Sequence, residues 1–316
     1  MLIIEVIVTP ALQDEILRLA KRNDVSDVWI SGQNENQVVV KILLSNEKSQ
    51  KVLDQLQTLM EGKNNFRVLV HPLELALPNE SLKKASLTRE SLTSQLTAES
   101  QLDWQFMMLV FLSTIVAAIG LIENNVAVII GAMVIAPLLG PNLALSLATT
   151  LGHLKEIRRA FFTLLSGILA ALLISYVIGL LYPNLSMTDE LLGRTHVGMS
   201  SMALALASGA AAALSITTGV SSVLVGVMVA VALLPPTVTL GIMLAMEQWN
   251  AAHGALALLL VNIASVNFTT QLTMRLKGIQ PREDKFRNIS RIAFAFGIIF
   301  WLGLLVILAD RIPALP

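Results

Sequence analysis

The residues of this chain able to do chemistry are few, because 54% of its 316 residues are hydrophobic and only 14% are charged. Asn142, Thr237, Thr239, Asn262, Ser265, Asn267, Thr269, Thr270 and Gln271 stand within otherwise apolar runs. Amides and hydroxyls can coordinate a cation or bond a neutral polar solute, and in hydrocarbon they must face a partner helix or a wet cavity. Two proline clusters lie beside them: Pro137 and Pro141 with Gly140 between, and the pair Pro235 and Pro236. Proline removes an amide donor and collides with the carbonyl one turn back, so a helix is expected to break or kink at each cluster and to free carbonyl oxygens. Gly140, Pro141, Asn142, Pro235, Pro236, Thr237, Asn262 and Asn267 are therefore the candidate lining of a substrate or ion site. Packing and hydrogen bonding between helices is the competing role for the same residues.

Other chemistries find no footing. Cysteine is absent, which removes disulfides, thiolate metal sites and cysteine nucleophiles. His71, His153, His196 and His253 are scattered, and no activated nucleophile, carboxylate pair or metal-ligand cluster stands out. We expect no catalytic residue, no metal and no cofactor, and so a protein that is not an enzyme. Formal net charge is zero and no basic stretch is interleaved with aromatics, so nucleic acid is not an expected partner. The apolar runs carry no Asp, Glu, Lys or Arg in their interiors, which disfavours proton antiport.

A mean hydropathy of +0.70 makes the lipid bilayer the expected solvent of most of the chain. Seven runs have the length to cross hydrocarbon about 30 Å thick, near 104–122, 125–150, 160–182, 197–216, 220–246, 251–274 and 291–309. Lys155, Arg158 and Arg159 follow the second run, and Arg275, Lys277, Arg282, Lys285, Arg287 and Arg291 follow the sixth. Such basic loops belong in the cytoplasm. The expected protein is a multi-pass protein of a bacterial inner membrane with its N-terminus cytoplasmic and its C-terminus outside. The opening MLIIEVIVTP carries Glu5 and no basic leader, so it reads as a strand and not as a secretory signal. Glu123 and Asn124, with Thr217 and Thr218 as their counterparts, cap opposite faces and are candidate gates; ordinary helix capping is the competing role.

An internal repeat sets Ile130 to Leu145 against Val225 to Leu240, about 95 residues later. Gly131 meets Gly226, Met133 meets Met228, Pro141 meets Pro236, and Leu138 and Leu139 meet Leu233 and Leu234. Upstream, Ser113, Ala117 and Ala118 meet Ser208, Ala212 and Ala213. A unit of three spans, being odd, enters the membrane upside down when it recurs, so the halves (104–182 and 197–274) are expected to be inverted repeats, with 291–309 as an additional helix.

Residues 1–78 have a different pattern, with strands near Leu2 to Val8, Val25 to Ile30, Gln37 to Leu44 and Phe66 to His71, and helices over Pro10 to Arg22 and Glu47 to Met60. The order βαββαβ fits a ferredoxin-like or ACT-like α+β domain, serving regulation or oligomerisation. Residues 79–103 read as a juxtamembrane linker or helix. Small-residue runs such as Ser208 to Ser215 favour close packing within or between protomers, so a homo-oligomer is expected.

The stretches AAIGLIENNVAVIIGAMVIAPLLGP (Ala117 to Pro141), GVMVAVALLPP (Gly226 to Pro236) and VNIASVNFTTQL with the following KGIQP resemble the bacterial family of uncharacterised hydrophobic proteins whose domain of unknown function is numbered 389. The resemblance covers roughly Ser86 to Pro281 and implies a multi-pass membrane location; it carries no functional residue. From the repeat and the broken helices we expect a transporter or channel for a small polar solute or ion. The alternative is a membrane-anchored sensor or scaffold whose soluble domain binds a ligand or partner.

Overall fold

The computed structural model describes residues 2–25, 27–34, 36–44, 46–60, 63, 66–73, 88–182, 185–218, 222–281 and 284–309. They form two compact units, Met1–Ser91 and Leu92–Pro316. The segment 74–87, where the expected linker begins, lies outside the described residues.

The first unit is built on β1 (Leu2–Val8), β2 (Val28–Gln33), β3 (Val38–Leu44) and β4 (Arg67–Pro72), all paired antiparallel in the order β2-β3-β1-β4. Helices α1 (Gln13–Arg22) and α2 (Asn46–Met60) make the two crossovers. In β1 and β3 every second residue is buried, so Ile4, Val6, Val40 and Ile42 face the helices while Glu5 and Lys41, opposite each other, form an ion pair at 2.7 Å on the other face.

A polar knot sits beside α2. Arg89, at the start of α3 (Arg89–Glu99), donates to Asp54 (2.7 Å) and to Glu90 (2.6 Å), and Gln50 donates to Glu90 at 3.1 Å. Burial alone would push the Glu90 carboxyl up, but the Arg89 charge and the hydrogen bonds from Arg89 and Gln50 together outweigh it and hold the group below the ordinary carboxylate value. A carboxylate lowered in the folded state stabilises at pH values above its unfolded pKa and loses that contribution as the pH falls through the folded one. Amide protection factors in the sheet are therefore expected to drop as the pH falls below 4.5. In Glu90→Gln that part of the pH dependence should be missing; an unchanged profile would remove Glu90 from the account.

The second unit is helical: α4 (Trp104–Ile122), α5 (Val126–Ile135), α6 (Leu139–Leu151), α7 (Leu154–Leu181), the short α8 (Asp189–Leu192), α9 (Met199–Thr218), α10 (Ser222–Ala245), α11 (Trp249–Leu276) and α12 (Asp284–Ala309). Among the described residues α4, α7, α9 and α11 are long and apolar enough to cross a membrane, and the pair α5 and α6, bent by 55°, makes a fifth such element. Their outward faces carry exposed Phe111, Leu112, Val134, Phe162, Leu173 and Leu260, a surface compatible with membrane insertion.

The helix limits repeat. Shifted by 95 residues, Trp104 and Ile122 fall on Met199 and Thr217, and Leu154 and Leu181 fall on Trp249 and Leu276. Helices α4 and α7 run opposite to α9 and α11. Thr188, just before α8, donates to the Leu121 carbonyl at the end of α4 (2.7 Å), and Gly254 at the start of α11 lies against Thr195. At the other end Ser290 of α12 donates to Thr150 near the end of α6 (2.7 Å) and accepts from Arg275 near the end of α11 (2.7 Å). Thus α4 ends where α9 and α11 begin, and α7 begins where α11 ends.

One expectation fails. Only the first proline cluster breaks its helix: α10 continues through Pro235 and Pro236. Ala136 is extended (φ −64°, ψ 122°), as a residue before proline tends to be, so Pro137 makes the break. Ninety-five residues later stands Ala232, and the proline that does recur, Pro236 for Pro141, falls in the first turn of α6, where no amide donor is missed.

Candidate functional site

The break at Ala136 sets α6 at an angle to α5 and brings Asn142 into its second turn. Asn142, Ser146 and Thr150 follow at four-residue spacing on one face of α6, each buried. Ser146 and Thr150 donate back to the carbonyls of Asn142 (3.1 Å) and Ser146 (2.8 Å). Across from them Asn267 of α11 donates to the Asn142 side-chain oxygen and to the Ile263 carbonyl (2.9 Å), and it accepts from the Ser146 hydroxyl (2.7 Å). Among the described residues the Nδ2 of Asn142 is buried without a partner, as is the Oγ1 of Thr239. A buried amide left with two unused protons is a costly arrangement in an apolar interior, and an available donor for anything polar that arrives there.

The equivalent place in the other half lacks the amide pair. Ser146 and Asn267 answer, under the 95-residue shift, to Gly241 and Leu172, and a Cβ on Gly241 would lie 2.7 Å from the Leu172 carbonyl. The same pair of helix faces therefore meets twice, once through a polar cluster and once through a glycine set against the Ser175 hydroxyl and the backbone of α7.

A cavity of about 260 Å³ with a mixed polar and apolar lining lies between α8, α9, α10 and α11. Asp189, Glu190 and Arg194 belong to its lining, with Arg194 and Glu190 paired at 2.6 Å; Ser201, Ser208 and Asn262 share the rest of the wall with apolar Leu204, Ala205, Pro236 and Leu258. The repeat accounts for the empty space. Ser201 and Asn262 answer to Phe106 and Gly167, and in the first half the Phe106 ring occupies the space beside Gly167, 3.0 Å from where a Cβ would be. Where Phe106 fills, Ser201 leaves a void.

The eight residues singled out from sequence divide accordingly. Asn142 and Asn267 meet, and Pro236 and Asn262 share the cavity wall. Pro141 and Pro235 are buried within helices, and Thr237 spends its hydroxyl on the Leu233 carbonyl (2.8 Å). Gly140 permits a backbone approach: its Cβ position is 2.6 Å from the Glu99 carbonyl, so it belongs to packing. Of the candidate gates, Glu123 is exposed at the end of α4, and Asn124, with φ 56°, accepts from the Glu190 amide at 3.0 Å. Thr217 and Thr218 donate to carbonyls of their own helix, at Ala213 (2.7 Å) and Leu214 (2.8 Å), an ordinary end of α9. Ser146 and Ser201 escaped notice in the sequence. Ser146 had a signal, its four-residue distance from Asn142, and Ser201 had one in its mismatch with Phe106.

No solved structure matches the chain. The model of the family described as Domain of unknown function (DUF389) matches residues 133–268, from the last turn of α5 to the middle of α11. An uncharacterized protein of Methanocaldococcus jannaschii is 30% identical over 285 residues, covering 88% of this chain and 89% of its own length. With one relative aligned over nearly the whole length and the family model lying across the broken helix and both asparagines, the chain belongs to the DUF389 family.

Proposed function

We propose that the chain is a seven-span membrane protein built as an inverted 3+3 repeat, and that it passes a small neutral polar solute or an ion. The unit Met1–Ser91, read as ferredoxin-like from its strand order, serves in this proposal as a cytoplasmic regulator or oligomerisation module, with the basic loops on its side of a plasma membrane. The observation that carries the reading is the cavity lined from Arg194 to Asn262, where Ser201 stands at the position that the Phe106 ring holds in the other half. Polar groups inside a helical bundle are tolerated where they line a wet cavity, and opposed triples of helices place such cavities at their interface. No ionisable group faces Asn142 among its hydrogen-bond partners, which suits a solute held by amides and carbonyls.

The chain lacks cysteine, so single cysteines report access directly. Asn262→Cys in the full chain, in membranes, is expected to react with a membrane-impermeant thiol reagent applied from the α8 side, and Ser201→Phe added to it is expected to slow that reaction about tenfold or more by refilling the void. Protection of Asn262→Cys from both sides would favour the sensor or scaffold reading instead.

A further inference from the structure

Among the described residues the sheet of the first unit ends in two edge strands, β2 and β4, and the two are not alike. β4 carries Arg67, His71 and Pro72, the charges and proline that keep a sheet edge from pairing. β2, with the sequence VWISGQ, has neither charge nor proline. Trp29 is 42% exposed and Ile30 43%, and neighbours along a strand point to opposite faces, so apolar surface lies open on both sides of this one strand. Such an edge is a template for another strand.

The backbone decides what fits it. The Leu43 amide donates to the Asp27 carbonyl (2.9 Å), so Asp27 and, two residues on, Trp29 turn their backbone groups toward β3, while Val28 and Ile30 turn theirs outward. Past Ile30 the bulge before Gly32 interrupts the register. Two outward N–H and two outward C=O groups are thus spaced as an antiparallel neighbour needs them, and β2 of a second copy, turned about a two-fold axis at Trp29, presents the matching set. We propose that β2 pairs antiparallel with β2 of a second copy of this chain, with Val28 opposite Ile30 of the copy, so that two sheets become one. Trp29 then meets its own copy in a non-hydrogen-bonded pair, where side chains approach most closely. An uncharged strand meets itself without repulsion, whereas β4 turned on itself about Leu69 sets Arg67 against His71. The inference rests on the reading of Met1–Ser91 as an oligomerisation module, not on the passage of a solute.

The test uses the full chain, which has no cysteine of its own, in liposomes at low protein density. Trp29→Cys sets two thiols across the two-fold axis with Cα atoms about 4.5 Å apart, inside the span of about 4.4–6.8 Å that a disulfide bridges. Under a mild oxidant it is expected to form linked dimers at least about tenfold faster than Leu69→Cys, whose position is equally exposed on the other edge strand. Ile30→Pro added to Trp29→Cys removes an outward amide and spares the bonds to β3, and is expected to slow the linking about tenfold. Ser31 comes opposite Asp27 of the copy in this register, so Ser31→Asp is expected to slow the linking about threefold and Ser31→Lys to speed it by as much; opposite signs at one exposed position cannot both come from a damaged fold. Photobleaching steps of the labelled unsubstituted chain in the same liposomes count the subunits separately. Assemblies of two or more with no preference for position 29 over position 69, or with Ile30→Pro linking at an unchanged rate, overturn the β2 pairing and leave the oligomerisation reading standing; single subunits throughout overturn both.

Discussion

Leucine in place of Gly241 is expected to prevent α7 and α10 from docking, at a cost of about 3 kcal/mol or more. A Cβ on Gly241 would stand 2.7 Å from the Leu172 carbonyl and 2.9 Å from the Tyr176 nitrogen, both backbone atoms of α7. Ordinary carbon contacts begin near 3.5 Å, and backbone inside a helix cannot step aside as a side chain can. Gly179 repeats the arrangement from the α7 side, with its Cβ position 2.6 Å from that of Ala245 and 3.2 Å from the Ile242 Cα. Small residues let helix backbones approach where apolar burial gives no separate driving force, so this contact is a main source of affinity between the halves. Folded proteins are stable by only about 5–15 kcal/mol, and the loss is a large share of that. Gly131 is the control: nothing lies within 4 Å of its Cβ position, and Gly131→Leu is expected to stay within about 0.5 kcal/mol. Yield of monodisperse protein and the denaturant midpoint read the difference. Equal behaviour of the two variants would refute the close approach.

Asn267→Leu is expected to cost about 1–3 kcal/mol, and Asn142→Leu added to it to return most of the loss. With Asn267 gone, Asn142, fully buried, keeps no side-chain partner, and Ser146 retains only its bond to the Asn142 carbonyl. Stranding one polar group is expensive, whereas removing both partners together leaves an apolar contact between α6 and α11. A double-mutant cycle on unfolding free energy should therefore show a coupling of about 1 kcal/mol or more, above the average of about 0.6 kcal/mol for hydrogen bonds between membrane helices. Strict additivity would mean that the cluster is not a connected network.

Pro137 and Pro236 show how far local reading reaches. Both are prolines inside apolar runs, and the rule that proline breaks a helix applies to each with equal force. The difference was present in the repeat itself, since Pro137 has no counterpart and Ala232 takes its place. Trp301 teaches the converse. Inside an apolar run it fits no interfacial role, and in the fold it is buried, with its indole nitrogen 3.4 Å from the Ala264 carbonyl and its ring against Phe268.

Hydropathy and periodicity determined by themselves that this chain is a small sheet domain followed by several apolar helices. Those features act within one element, through length, periodicity and capping. Only the tertiary structure decided that Asn142 and Asn267, 125 residues apart, share a hydrogen bond, that Ser201 opens a space which Phe106 closes in the other half, and that Ser290 ties Thr150 to Arg275. Each of those facts depends on which side chain happens to face which neighbour across a helix interface, and the volume left between two faces is a property of the pair that neither strand of sequence carries alone.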